Sequence, residues 1–389
     1  MQIDSFFGRG AAGCLAALTA GLCLAPHSMA QQPDGSVRMN QIQVIGTHNS
    51  YHAGLTPGMA TLLEHTRPKA ARALDYRHAG LDAQLSAGVR QFELDIFADS
   101  KGGRYAHPSG PELIKQARIP ADPDPDPQGV MLKPGFKVMH TQDIDQHSTC
   151  QPFTRCLEIV RAWSRSHPNH LPIFILVETK QGEALSGAHS VTPEPFTAAS
   201  FDALDAEIRS VFPPDELITP DMVRGAHATL NEAIRANEWP MLAQARGKVV
   251  FLMDQRNVGP LYLAGHPSLR GRVLFTNAAP GQPDAAFTEE NDGSEQTIAA
   301  LVRQGYLVRT RTDADTEEGR SGTTTRRDAA LASGAQLLST DYPASEPAKW
   351  TGYFVSFPGG LIARCNPVLK PVGCVDAGLT TVPGVLPAK

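Results

Sequence analysis

The sequence predicts an α/β protein folded as a TIM-like (β/α)8 barrel. Eight short apolar runs recur along the chain. Several of these runs are continuous rather than alternating, which fits strands buried on both faces. Segments able to form helices lie between them, and that rhythm is the mark of a largely parallel sheet.

The runs, in order, are Ile42–Gly46, Val89–Asp95, Phe136–Met139, Ile173–Val177, Val249–Met253, Arg272–Phe275, Tyr306–Val308 and Gln336–Leu338. Helices are predicted over Asp82–Ala87, Phe153–His167, Phe201–Val211, Glu295–Gln304 and Thr324–Ser333. Eight strands in this order call for a closed barrel. The rival is an open doubly wound sheet, but no Gly-x-Gly-x-x-Gly turn follows the first run. Pro120–Gly129 alternates proline with aspartate and forms neither helix nor central strand. Gln181–Pro195 reads as a second surface loop, and the tail from Pro358 as a capping extension. No solenoid-type repeat is visible.

Residues 1–30 have the form of a signal peptide: Arg9, an apolar run from Ala11 to Ala25, and Ser28-Met29-Ala30 as the cleavage signature. The expectation is a secreted or periplasmic protein that begins near Gln31, with 31–389 forming one barrel domain. No later segment is apolar and long enough to span a bilayer. Hydrophobic residues make up 41 % and charged residues 19 % of the 389, as in globular proteins. The net charge of -5 and the lack of a basic tract argue against nucleic acid as a partner. Cys14 and Cys23 fall in the signal segment. Cys150, Cys156, Cys365 and Cys374 remain, in two close pairs. An oxidising compartment would allow two local disulfides, although three pairings are open. Zinc is disfavoured, because neither pair has Cys-x-x-Cys spacing.

The chemistry collects where the apolar runs end. The first runs into Gly46-Thr47-His48-Asn49-Ser50-Tyr51-His52. The second carries Glu93 and Asp95, two apart and so on one face. The third ends at His140 and the fourth at Glu178. Barrel strands deliver their carboxyl ends to one rim, where active sites sit. A lone histidine at a strand end is more often structural, and Glu-x-Asp pairs are common on wet strands. Here Phe92, Leu94 and Ile96 alternate with the acids, so buried like charges would need a cation or hydrogen bonds. Carboxylates and an amide oxygen are hard ligands, which suit Ca2+, and Mg2+ after it.

These motifs resemble the catalytic domain of phosphoinositide-specific phospholipases C, most of all the bacterial calcium-dependent group. His48-Asn49-Ser50-Tyr51, Phe92-Glu93-Leu94-Asp95, Val138-Met139-His140-Thr141 and Pro172–Glu178 carry the resemblance, in order, over Ile42–Lys180. It implies His48 and His140 as catalytic histidines, and Asn49, Glu93, Asp95 and Glu178 as calcium ligands. Glu93, or else a histidine, is the expected proton acceptor, His48 steadies charge on phosphorus, and His140 protonates the departing oxygen. Lys180, Arg309 and Arg311 are candidates to bind an anionic headgroup, with salt-bridging an equal alternative. The implied partner is a phospholipid headgroup, or a glycerophosphodiester, met at a membrane surface by a monomer. Glu93-Leu94-Asp95, Val138-Met139-His140, Val177–Lys180 and Ser333–Pro343 also resemble motifs of glycerophosphodiester phosphodiesterases, but that family begins with His-Arg-Gly where this chain has His48-Asn49-Ser50. A third possibility is an inactive secreted binding protein on the same barrel, against which both histidines and all four ligands speak.

Overall fold

The computed structural model describes residues 36–183 and 190–379. The expected signal segment 1–30, with Cys14 and Cys23, lies outside the described residues, as do positions 184–189 of the loop Gln181–Pro195.

Eight parallel strands form the barrel: β1 (Ile42–Thr47), β2 (Gln91–Phe97), β3 (Ile173–Thr179), β4 (Val249–Met253), β5 (Leu274–Phe275), β6 (Phe287–Glu289), β7 (Leu307–Arg311) and β8 (Leu337–Thr340). Each pairs with the next, and β8 returns to β1. The closing contact between β5 and β6 is a single parallel bridge, Asn277 to Phe287. Every residue of β1, β2 and β4 is buried; β4 is the unbroken apolar run this requires, whereas β2 buries Gln91, Glu93 and Asp95 along with its apolar residues.

The third predicted run is a correction. Phe136–Met139 is not a barrel strand: only Lys137–Val138 is extended, and it runs antiparallel to β2. The barrel's remaining member is β6, which sequence reading passed over. The reason lies between β1 and β2, whose ladder touches only at Gly46 and Gln91. Above that point their edges part, and Lys137–Val138 takes the free edge of β2 at Ile96 and Phe97. It is as buried as a barrel strand and reads like one.

The five predicted helices appear at Leu81–Ser86, Phe153–Ser166, Ala198–Val211, Glu295–Arg303 and Thr325–Ala332. Phe153–Ser166 buries Phe153, Cys156, Leu157, Val160 and Trp163, the spacing of one apolar face. The Pro120–Gly129 stretch has no helix or strand. Its Asp122 accepts from the backbone N–H of Gly58 (2.7 Å) and Met59 (3.0 Å), capping the helix Pro57–Thr66 from a distant segment. Two disulfides, Cys150–Cys156 and Cys365–Cys374, join the close pairs. The second holds the tail, whose Ala363–Cys365 pairs antiparallel with the lower half of β1.

Gly46 is where β1 and β2 meet. A Cβ there would lie 2.0 Å from Gln91 Oε1 and 2.6 Å from Gln91 Cβ. Gly46→Ala is expected to cost about 1–3 kcal/mol, the usual penalty of overpacking. Urea unfolding checks this, and an unchanged midpoint would show that Gln91 simply swings away.

Candidate active site

The turn after β1 is stitched to both neighbouring strands. His48 N–H donates to the Thr340 carbonyl (3.0 Å), at the end of β8. Ser50 N–H donates to the Glu93 carbonyl (3.0 Å), and Ser50 Oγ accepts from Glu93 N–H (2.8 Å). Between them Asn49 adopts a φ of 45°, a left-handed conformation that asparagine tolerates. The turn is thereby held over Glu93. His140 comes to the same rim by another route, on the segment that runs against β2 rather than along it.

Glu93, Glu178 and Asp254 each offer a carboxylate oxygen within 4.8 Å of the others. Two of these were expected from sequence. Asp254, the residue after β4, was not, although its N–H donates to the Val177 carbonyl (3.0 Å) and so sets it beside Glu178. Its signal was present: five apolar residues and then an acid, as in Ile173–Glu178. The expected ligands Asp95 and Asn49 lie nearby but are differently engaged. Asp95 is fully buried against Lys180 Nζ (3.0 Å), which also holds Glu178 (3.0 Å). The Asn49 amide donates to the Tyr76 hydroxyl (2.9 Å).

The three expected headgroup cations all face carboxylates of the chain itself. Lys180 bridges Asp95 and Glu178. Arg309 is buried between Glu93 and Glu289 (2.7 Å to the latter), and also donates to Asn291 (2.6 Å). Arg311 lies 3.4 Å from Asp341.

Negative charge is in excess here. Among the described residues, Glu93, Asp95, Glu178, Asp254 and Glu289 are ion-paired with two cations, Lys180 and Arg309. Burial, and then Glu289, Glu178 and Glu93, push Asp254 up to about 9. Burial also lifts Glu289 to about 7, with Arg309 opposing and Glu93 and Glu178 adding. Asp95 is raised well above the carboxylate range by burial and then by Glu178, and its Oδ1 has no hydrogen-bond partner. An all-oxygen cluster with surplus negative charge fits a hard divalent cation.

Each expected catalytic histidine has Nδ1 against a buried carboxylate. For His48 it is Asp341 (2.8 Å), the residue after β8; for His140 it is Asp145 (3.2 Å). His48 Nε2 is 3.5 Å from Glu93 Oε1. Burial, and then Arg311, hold the His48 imidazole well below its ordinary range. The Tyr76 ring stacks 6.0 Å from His48 and lies 4.8 Å from His52, which in turn is 6.2 Å from His140. Asp341 could have been found by the strand-end rule that found Glu178. Tyr76 and Asp145 sit in loops, where no spacing marks them. Beside Tyr76 and Asp341 a cleft of about 1120 Å³ opens between His78, Arg320, Lys349 and Trp350.

A family model described as phosphoinositide phospholipase C, Ca2+-dependent, matches residues 37–367. No curated protein matches the chain. Among solved structures, a calcium-dependent phosphoinositol-specific phospholipase C from Pseudomonas sp., in complex with myoinositol, is 16 % identical; the match covers 86 % of this chain and 97 % of that one, with TM-score 0.52. A crystal form of the apo enzyme gives 15 %, 88 %, 100 % and 0.52. A Ca2+-dependent phosphatidylinositol-specific enzyme from Streptomyces antibioticus gives 20 %, 78 %, 95 % and 0.49. At these identities the Pseudomonas likeness establishes the barrel, and the family rests on the match across the barrel's whole length. The chain belongs to the Ca2+-dependent phosphoinositide phospholipase C family, whose members are phosphoric diester hydrolases.

Proposed function

We propose that this chain is an exported phospholipase C that uses calcium to cleave the glycerol–phosphate bond of phosphatidylinositol-type lipids. The observation that carries this reading is the pair of histidines, each with Nδ1 on a buried carboxylate, beside a cluster of three further carboxylates. Nδ1–H donation to Asp341 or Asp145 leaves Nε2 as the working nitrogen of each ring.

The attacking inositol hydroxyl must lose a proton. Of the two expected acceptors, Glu93 or a histidine, Glu93 has its Oε2 committed to Arg309. His48 Nε2, kept neutral by its surroundings, takes that role in this reading. The hydroxyl oxygen then bonds to phosphorus and the bond from phosphorus to the glycerol oxygen breaks. His140 Nε2 delivers a proton to that oxygen, giving diacylglycerol and a cyclic inositol phosphate. Glu93, Glu178 and Asp254 would hold the calcium, with Asn49 and Asp95 adjacent. When bound, the cation supplies neutralisation of phosphate charge and a lower pKa for the attacking hydroxyl. The form of residues 1–30 and the two disulfides support export.

Phosphatidylinositol vesicles are expected to release headgroup with calcium and to fall to background in excess chelator. Full activity in chelator would remove the metal. Turnover of glycerophosphoinositol with none of the lipid would shift the assignment to the glycerophosphodiesterase reaction.

A further inference from the structure

Asp145 is fully buried, and a single oxygen of its carboxylate meets two imidazoles. Oδ2 is 3.0 Å from His52 Nε2 and 3.2 Å from His140 Nδ1, a nitrogen that Thr141 Oγ1 also meets at 3.2 Å and whose hydrogen both oxygens can accept. The chain closes on itself to place it there. His140 N–H and Thr141 N–H donate to the Asp145 carbonyl (3.2 and 3.1 Å), and Asp145 N–H donates to the Thr141 carbonyl (3.0 Å). His52 is as buried as Asp145. Among the described residues its Nδ1 has no hydrogen-bond partner, and its side-chain hydrogen bond is to Asp145. The other Asp145 oxygen, Oδ1, has no partner either.

We propose that Asp145 is a positioning residue for His140, and that the buried His52 in turn positions Asp145, forming a His–Asp–His clamp behind the reacting groups. The proposal rests on the reading of His140 as proton donor. An ionised carboxylate only accepts hydrogen bonds, so both ring nitrogens facing it carry hydrogen. His140 is therefore the Nδ1–H tautomer after it has given up its Nε2 proton, and Asp145 stabilises the imidazolium that precedes the transfer. His52 is the opposite tautomer, Nε2–H. Burial works against the ionised Asp145, yet His52 and then His140 hold its carboxyl well below the usual range. For stability alone, an apolar residue would serve this pocket as well as an acid with an orphaned oxygen.

Nitrogen NMR of the unmodified protein, labelled at histidine, tests the clamp without any need for a variant to fold. At a pH where both rings are neutral, His140 is expected as the Nδ1–H tautomer and His52 as Nε2–H, with resonances assigned from His140→Ala and His52→Gln. Neutral His140 found as the Nε2–H tautomer would overturn the proposal. In turnover, Asp145→Asn is expected to lower kcat about 100-fold, the scale of a lost orienting partner. KM should stay within about twofold, because binding contacts are untouched. His52→Gln keeps a donor and should stay near wild type, whereas His52→Leu should fall about 10-fold. Normal turnover in Asp145→Asn, with loss in His140→Ala, sinks the clamp alone. Normal turnover in both sinks the proton-donor reading as well. A parallel fall in kcat, KM and melting temperature for Asp145→Asn would mark a structural role and also overturn the proposal.

Discussion

His140→Ala is expected to lower kcat by about 10²- to 10⁴-fold, the range of a lost general acid. KM and melting temperature should hold. The ring is 25 % exposed and its Nδ1 meets Asp145 and the Thr141 hydroxyl; Asp145 keeps His52 when His140 is gone. The fold therefore loses little. The departing oxygen loses its proton source, and an alkoxide is a poor leaving group. Replacing the glycerol by a nitrophenolate, which departs without a proton, should recover most of the loss in His140→Ala. The same substrate should not rescue His48→Ala, because the attacking hydroxyl still needs a base. Equal rescue of both variants would erase the division of labour. Near-normal turnover of lipid by His140→Ala would refute its acid role outright.

That two-histidine reading came from sequence by a route that was partly wrong. His140 was placed at the rim as the end of a barrel strand, whereas it arrives on a segment wedged beside β2. Burial alone set the apolar pattern of Phe136–Met139, and burial does not reveal strand direction. β6 was missed for the opposite reason: three residues following a loop with two prolines carry too little pattern. The strand-end rule pointed to His48 and Glu178, and same-face spacing on β2 to Glu93; applied to β4 and β8 the strand-end rule would also have pointed to Asp254 and Asp341. It could not say which cations are already neutralised. For Arg309 and Arg311 headgroup binding and salt-bridging stayed equal alternatives, because the carboxylates they face, Glu289, Glu93 and Asp341, come from other strands of the ring. Charge pairing across a barrel rim is a property of the closed ring and is absent from local spacing.

Asp254→Asn carries the second large effect, and its sign depends on calcium. Without the cation, Asp254 is held up to about 9 by burial and then by Glu289, Glu178 and Glu93, against about 3.9 in an unfolded chain. The folded protein then binds a proton that the unfolded chain has released. Stability in chelator should therefore fall as pH rises from about 4 towards about 9. Asp254→Asn removes that carboxyl, so the variant in chelator should show a flatter slope and a higher melting temperature than wild type near pH 8. With calcium the order should reverse. The ionised carboxylate is then the favoured form, and its loss is expected to weaken calcium binding about 100-fold, or about 2.8 kcal/mol. The upward shift in melting temperature on adding calcium, large in wild type, should shrink accordingly. Calorimetric titration with calcium measures the affinity directly. A variant that bound calcium as tightly as wild type and kept the wild-type pH slope would remove Asp254 from the cluster. The ligands would then be the set expected from sequence, with Lys180 displaced from Asp95.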